Sequence, residues 1–252
     1  VNDLTIVMAV YGQPEMLWFQ IKLMETYPED VLKRLNVIVV DDCGNPPVNE
    51  KWIIELGLFV KKVQLFRVDE DIHWNQMGAR NLAMHHAEGW CVMLDPDMVF
   101  SGEMMQKLLL TIGQLERGHV VKWALRHVGN GVVDMTSPNT WLIHRDDFFA
   151  IGGYDEDYAG HKGWSDVQLL DVLRSCYKIH QRPDIQADFY SNKQVPDAAV
   201  TSLDRSTGAN RKKRLRKAAE ARGARGWKQW AKTRQKIPRL RFKWRRVYPP
   251  PV

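Results

Sequence analysis

The residues with the clearest chemical potential are two carboxylates one position apart, Asp95 and Asp97, separated by Pro96. Hard oxygen ligands presented together at a strand end suit Mg or Mn, and such a cation is useful where a diphosphate departs. Alone, an Asp-Pro-Asp run is more often a polar turn, so its weight depends on what holds it. A second pair, Asp41 and Asp42, follows the apolar run 37–40. A carboxylate at the carboxyl end of a parallel strand faces the crevice where ligands bind in open α/β sheets. A third candidate, Asp166, lies between Ser165 and Gln168, which have the spacing of a capping box. That spacing predicts Asp166 in a first helical turn, where the helix dipole favours the ionised form that a general base needs.

The elements that must position these groups are legible in the hydrophobic pattern. Met77, Ala79, Leu82, Ala83 and Ala87 mark a helix, and Gly89 supplies its stop. Trp90–Leu94 is a continuous apolar run that fits an interior strand, and Pro96, unable to donate to a ladder, ends it. Upstream, Leu4–Val10 reads as a strand, Tyr11, Gly12 and Gln13 as a turn, and residues 15 to about 27 as a helix with Pro14 in its first turn. A helix over 51–58 and a strand over 60–68 follow. Downstream the pattern gives a helix over 102–116, a strand over 119–128 turning through three residues into 132–135, a strand over 140–144, a short helix over 145–151 and a strand over 177–181. Alternating strands and helices of this kind predict an α/β fold.

Together the series Asn75, Gly78, Ala79, Arg80, Asn81, Ala87, Gly89, an apolar strand, then Asp95 and Asp97 resembles the central block of the family 2 type glycosyltransferases of the GT-A fold. The resemblance covers roughly residues 3 to 190, and the ordered series is more specific than any one motif. It implies a Rossmann-like mixed sheet flanked by helices, with a donor half over about 1–100 and an acceptor half over about 101–204. It also implies a nucleotide-sugar donor, UDP-linked first, with Mn or Mg on Asp95 and Asp97 beneath its diphosphate. By the same resemblance Val10 and Tyr11 would contact the base, Asp41 would recognise the uracil or ribose with Asp42 near it, and Asn75 and Arg80 would serve the donor. Asp166 occupies the family's acidic motif and would take the proton of the acceptor hydroxyl, with Trp164 beside it toward the acceptor. A third metal ligand would be Asp188, in the place where many relatives have a histidine, or His180 if the register differs.

Charge divides the chain. Residues 205–252 hold 18 Lys and Arg against Glu220 alone, a net +17, which leaves 18 basic and 29 acidic side chains, or −11, for residues 1–204. The expected organisation is therefore a transferase domain over 1–204 and a basic, aromatic-rich, partly helical extension over 205–252. In that extension Arg211, Lys212, Lys213 and Arg214 with Trp227 and Trp230 suggest a polyanionic acceptor, since basic groups neutralise phosphates and aromatics stack on bases. Nucleic acid ranks first, as 5-hydroxymethyl-pyrimidine DNA in the manner of virus-encoded transferases. An anionic membrane surface with a lipid-linked or polysaccharide acceptor comes second, and docking of the tail on its own acidic body third. A non-catalytic nucleic-acid-binding protein with a decayed transferase fold is a further alternative. No apolar stretch approaches the roughly 18 residues of a membrane span. The chain opens into a strand without signal-peptide features, so a cytoplasmic location, in a host cell if the protein is viral, is expected. Cys43, Cys91 and Cys176 are spaced as reduced residues in or near the core.

Overall fold

Strand β1 (Leu4–Val10) is buried at all seven positions, as a parallel strand covered by helices on both faces must be. The computed structural model describes residues 3–139, 141–234 and 239–250. In chain order β1 is followed by α1 (Pro14–Met24), α2 (Glu29–Leu32), β2 (Leu35–Asp41), α3 (Glu50–Leu56), β3 (Lys62–Val68), α4 (Gln76–His86) and β4 (Trp90–Leu94). Strands β3, β2, β1 and β4 lie side by side and parallel. Val10 pairs with Asp41 and Met8 with Leu94, so the carboxyl ends that carry Asp42 and Asp95 open on the same edge of the sheet.

The second half is mixed. It comprises β5 (Met98–Val99), α5 (Gly102–Ile112), β6 (His119–His127), β7 (Val133–Asp134), β8 (Trp141–His144), α6 (Arg145–Ala150), α7 (Ser165–Cys176) and β9 (Lys178–Phe189). Strand β8 runs antiparallel to β4 and β6, which extends the sheet in the order β10 (Trp244–Tyr248)-β3-β2-β1-β4-β8-β6-β9-β5, with β7 paired to β6 as a hairpin. This is the expected α/β architecture, a Rossmann-like mixed sheet between helices. The expected strand start at Thr140 lies outside the described residues. Beyond the expected end at 181 the chain continues as one long strand, β9: its register against β6 jumps from Arg182 to Gln186, and Pro183, which cannot donate, sits in that irregularity. Trp123 and Trp141 are buried as strand residues should be, and of the cysteines only Cys91 is fully buried.

The basic C-terminal stretch does not stand apart from the body. Helices α8 (Gly208–Gly223) and α9 (Trp227–Arg234) lead to β10 (Trp244–Tyr248), which pairs antiparallel with β3 and covers what would otherwise be an open sheet edge. Lys217, 6% exposed, donates to Asp155 at 2.5 Å and Asp157 at 2.7 Å. Arg214 pairs with Asp171, Arg241 with Asp157 at 2.9 Å, and Arg245 with Asp69. Asn210 is wholly buried and donates to the carbonyls of Tyr158, His161 and Gly163. Docking on the acidic body, ranked last from sequence, is thus what the tail does, because an acidic body offers a +17 segment short-range partners in its own chain. No helix among the described residues is long and apolar enough to cross a membrane.

Candidate active site

The turn after β4 is built to face outward. Buried Gln20 on α1 donates its amide to the carbonyls of Pro96 at 2.6 Å and Met98 at 2.8 Å, and Tyr190 donates its N–H to the Asp97 carbonyl at 2.8 Å. Asp95 and Asp97 therefore enter one cavity of about 240 Å³, which Asp166, Ser165, Asn139, Gln13, Trp74, Gln76, Lys162 and Arg205 also line.

The two carboxylates differ. Both oxygens of Asp95 are occupied: Oδ1 accepts from Gln76 at 2.7 Å and from Arg80, and Oδ2 from Asn139. Asp97 Oδ1 is buried and has no hydrogen-bond partner among the described residues. Burial, and then Asp95 beside it, hold Asp97 well above the usual carboxylate range. A buried anionic oxygen without a donor is costly unless a cation or a proton meets it, so the residues present fit a divalent ion. No group of three His, Cys, Asp or Glu side chains that could hold a metal ion is found among the described residues, and Mg or Mn bound through two carboxylates completes its shell with water and phosphate oxygens. Asp188 is not the third ligand that the resemblance implied. It is held bidentately by Arg126 at 2.6 and 2.7 Å on β9 and does not line the cavity. His180 lies at the other end of β9, its ring against His119.

Arg80 is also corrected. Its guanidinium, 2% exposed, does not reach the cavity; it is clamped by Asp95, by Asp166 at 2.7 Å and by the Tyr154 hydroxyl at 2.7 Å. Burial works against its charge, yet Asp95, Tyr154 and Asp166 around it raise its pKa. It ties the two carboxylate centres into one rigid unit instead of touching a ligand. Asp166 is in the first turn of α7, but the capping box does not form. Ser165 is already helical, Trp164 occupies the cap position at φ 70°, and Gln168 turns inward toward Asp155. Asp166 Oδ1 accepts from Arg80 and from the Tyr154 hydroxyl at 2.7 Å, which orients the carboxylate along the cavity wall.

A smaller cavity of about 70 Å³ adjoins the first, lined by Val10, Tyr11, Asp42 and Leu203, and shares Gln13, Trp74, Gln76 and Val200 with it. Asp42, not Asp41, is the carboxylate that faces it. Asp41 is consumed by its own loop, accepting from Gly44 N–H at 2.8 Å, Val48 N–H at 3.0 Å and Arg67. Gly44 permits this, because a Cβ there would sit 2.4 Å from the Gly12 nitrogen of the neighbouring turn. Asn75 acts through Asp42, to which it donates at 2.8 Å. Burial pushes Asp42 up to about 7 against the hydrogen bond from Asn75.

Of the tail residues expected to meet an acceptor, Trp230 is buried, Trp227 packs on it with ring centroids 5.0 Å apart, and Arg214 lies over the Trp164 ring at 5.6 Å. Lys213 donates to the Asp157 carbonyl. These four are packing and pairing residues; Arg211 and Lys212 are exposed. Sequence reasoning missed Gln76, Asn139, Tyr154, Lys162 and Arg205 as cavity or support residues. Tyr154 had a signal in the Gly-Gly-Tyr run, Arg205 was absorbed into the charge count of the tail, and Asn139 had none.

No protein-family profile and no curated protein sequence matches the chain. Solved structures do match in shape. Residues 1–349 of S. aureus TarS superpose with a TM-score of 0.59 at 13% identity, over 76% of this chain and 61% of that one. The same fragment in complex with UDP-GlcNAc gives 0.57 at 15%, over 79% and 62%. The fold is GT-A. GalNAc-T7 with UDP, GalNAc and Mn2+ has a TM-score of 0.58 at 14% identity, over 75% of this chain and 44% of that one. The mannosyltransferase PcManGT from Pyrobaculum calidifontis with GDP-Man and Mn2+ has 0.54 at 15%, over 75% and 58%. The chain thus spans about three fifths or less of the GT-A structures it resembles. Those complexes hold UDP-GlcNAc, UDP with GalNAc and Mn2+, and GDP-Man with Mn2+. Together with a tail that pairs with its own body, this corrects the expectation of DNA as the partner.

Proposed function

We propose that this protein transfers a glycosyl group from a nucleoside-diphosphate sugar, UDP-linked first, to an acceptor hydroxyl with the help of a divalent cation. The observation that carries the reading is the bare, buried Asp97 oxygen beside Asp95, in one cavity with Asp166 and next to a second cavity that ends on Asp42. A Mn or Mg ion held by Asp95 and Asp97 would supply Lewis-acid stabilisation of the departing diphosphate. Asp42 accepts from an N–H on the edge of the base, with Asn75 holding the carboxylate in place. Asp166, oriented by Arg80 and Tyr154, takes the proton of the acceptor hydroxyl as its oxygen bonds to the anomeric carbon. The bond from that carbon to the phosphate oxygen breaks, and its electron pair leaves with the nucleoside diphosphate. A single displacement of this kind inverts the anomeric centre.

The test is a panel of UDP- and GDP-sugars with Mn, scored by nucleotide release and by NMR of the product anomer. Asp97→Asn is expected to lower metal-stimulated transfer on the order of 100-fold. Release that is unaffected by EDTA or by Asp97→Asn would refute the metal role, and a retained anomer would refute Asp166 as base in a single displacement.

For the acceptor side, the reading that the surface favours is a lipid-linked or polysaccharide hydroxyl presented at an anionic membrane surface. Arg211, Lys212, Arg222, Arg225, Lys228 and Lys232 are exposed on α8, α9 and their connection, and make no ion pair among the described residues, while Leu215 is 58% exposed beside them. Each basic group near an anionic leaflet contributes on the order of 1 kcal/mol. Flotation is expected with vesicles containing phosphatidylserine and to be lost at high salt or in Arg222→Glu/Lys228→Glu. Equal behaviour with phosphatidylcholine alone would exclude it.

A further inference from the structure

Two cations in the larger cavity have no assigned use. Lys162 lies 5.5 Å from the centroid of the Trp74 ring and Arg205 5.9 Å from it. Neither forms an ion pair with a carboxylate among the described residues, although the acidic body supplies partners to Arg214, Lys217, Arg241 and Arg245 of the tail. They come from two separate loops that converge on the loop of Trp74. The Gly160 N–H donates to the His73 carbonyl at 2.7 Å, which fixes the loop of Lys162. The Trp74 indole N–H donates to the Asp204 carbonyl at 2.6 Å, and Arg205 donates to the Val200 carbonyl, which fixes the segment of Arg205. Trp74 itself is held at φ 52°, a conformation that costs energy for a tryptophan and persists only where its surroundings impose it.

Lys162 and Arg205 repel each other: burial and then Arg205 push the Lys162 pKa down, while the charge of Arg205 also acts on Asp97. An anion between them would relieve that repulsion. Position identifies which anion. Trp74 lines both cavities and so stands at their junction. A ligand whose base lies by Val10, Tyr11 and Asp42 and whose sugar reaches Asp166 must pass its linking group over Trp74. In a nucleoside-diphosphate sugar that group is the diphosphate. Asp95 and Asp97, which line the same cavity, would repel it without compensating cations.

Resting on the donor reading above, we infer that Lys162 and Arg205, posted on Trp74, form the subsite that grips the donor diphosphate, with Trp74 as their positioning residue. The tail thereby contributes to the donor site through its first residue, not to the acceptor through its basic run.

Calorimetric titration of the full chain with UDP, GDP and the two nucleosides, with Mn present, tests this. Arg205→Ala and Lys162→Ala are each expected to weaken the diphosphate that the wild type binds by tenfold or more, and to leave nucleoside binding unchanged. Arg205→Lys should recover part of the loss, and the salt dependence of diphosphate binding should flatten in the double variant, a readout that misfolding would not produce. Trp74→Phe, which keeps a ring but removes the indole donor, should weaken the diphosphate and spare the melting temperature. If the wild type binds UDP or GDP and both alanine variants bind it equally well, the subsite is wrong and the donor reading stands. If the wild type binds neither with Mn present, the donor reading fails and the subsite with it.

Discussion

At the residue scale the site separates groups that meet a ligand from groups that hold them. Asp42 and Asp97 are the carboxylates whose burial is not compensated by several donors, whereas Asp41 is taken up by three hydrogen bonds and Asp95, which lines the cavity with Asp97, is fixed in place by three. Residues kept for ligands are expected to be poorly satisfied in their absence, because each protein donor would compete with the ligand. Asp42 gives the pH prediction. Its pKa of about 7 lies above the ordinary 3.8, so between those values the folded chain holds a proton that the unfolded chain releases. The contribution of Asp42 to stability therefore falls as pH rises through that window and levels off above it. The ionised form is the one that accepts from a base N–H, so nucleotide affinity should rise about tenfold from pH 6 to pH 8. Asp42→Asn should flatten both the affinity profile and this part of the stability profile; a titration series across that range by calorimetry and by thermal melting checks it.

At the element scale, α8 is a helix that its own composition would not fold onto anything. Its apolar content is low and its inward face is Asn210, Lys217 and Ala221, so polar bonds replace an apolar stripe. Lys217 is the centre of that arrangement. Removing it takes from Asp155, 5% exposed, the ammonium 2.5 Å away, and breaking one side of a buried pair costs roughly 3–5 kcal/mol. Lys217→Met should lower the unfolding free energy from urea titration by that amount, and adding Asp155→Asn should return part of it. Additive losses in the double variant would mean that the pair is not coupled. Helix α4 shows the same dependence on distant elements. A Cβ at Gly78 would sit 2.6 Å from the Phe242 ring and 2.3 Å from Asn75 Oδ1, so the glycine admits the tail and the Asp42 support at one point.

At the scale of the whole molecule, the C-terminal stretch completes the fold. It supplies the edge strand β10 against β3, the buried Trp230 and Phe242, and Arg205 at the cavity. Ending the chain at residue 204 should therefore not yield an intact donor-binding domain. Exposure of the β3 edge and loss of two buried aromatics, each worth roughly 3–5 kcal/mol, should give aggregation and a lowered melting temperature. Size-exclusion chromatography and thermal melting of residues 1–204 check this, and a monomeric fragment melting as the full chain does would disprove it. The same truncation cannot serve as a clean test of acceptor binding, because it removes packing and the acceptor surface together.

Local pattern determined a large part of this. The strand ending in Asp95 and Asp97, the helix that stops at Gly89 and the strands at Leu4–Val10 and 37–40 follow from apolar periodicity, proline and glycine within a few residues, and the Ser165 to Gln168 spacing put Asp166 in a first helical turn although the capping box itself does not form. The α/β class follows from their alternation. Tertiary structure alone decided the division of labour inside each acidic pair, since Asp41 and Asp42 are alike in sequence and differ only in which loop donors reach them. It decided that Arg80 is enclosed instead of exposed to the ligand, that Asp188 belongs to Arg126, and that the +17 stretch spends much of its charge on its own body. Charge in a sequence reports how much potential a segment carries. Which partner lies within Coulomb range is set by contacts far apart along the chain, and Lys217 with Asp155 is 62 residues from being readable locally.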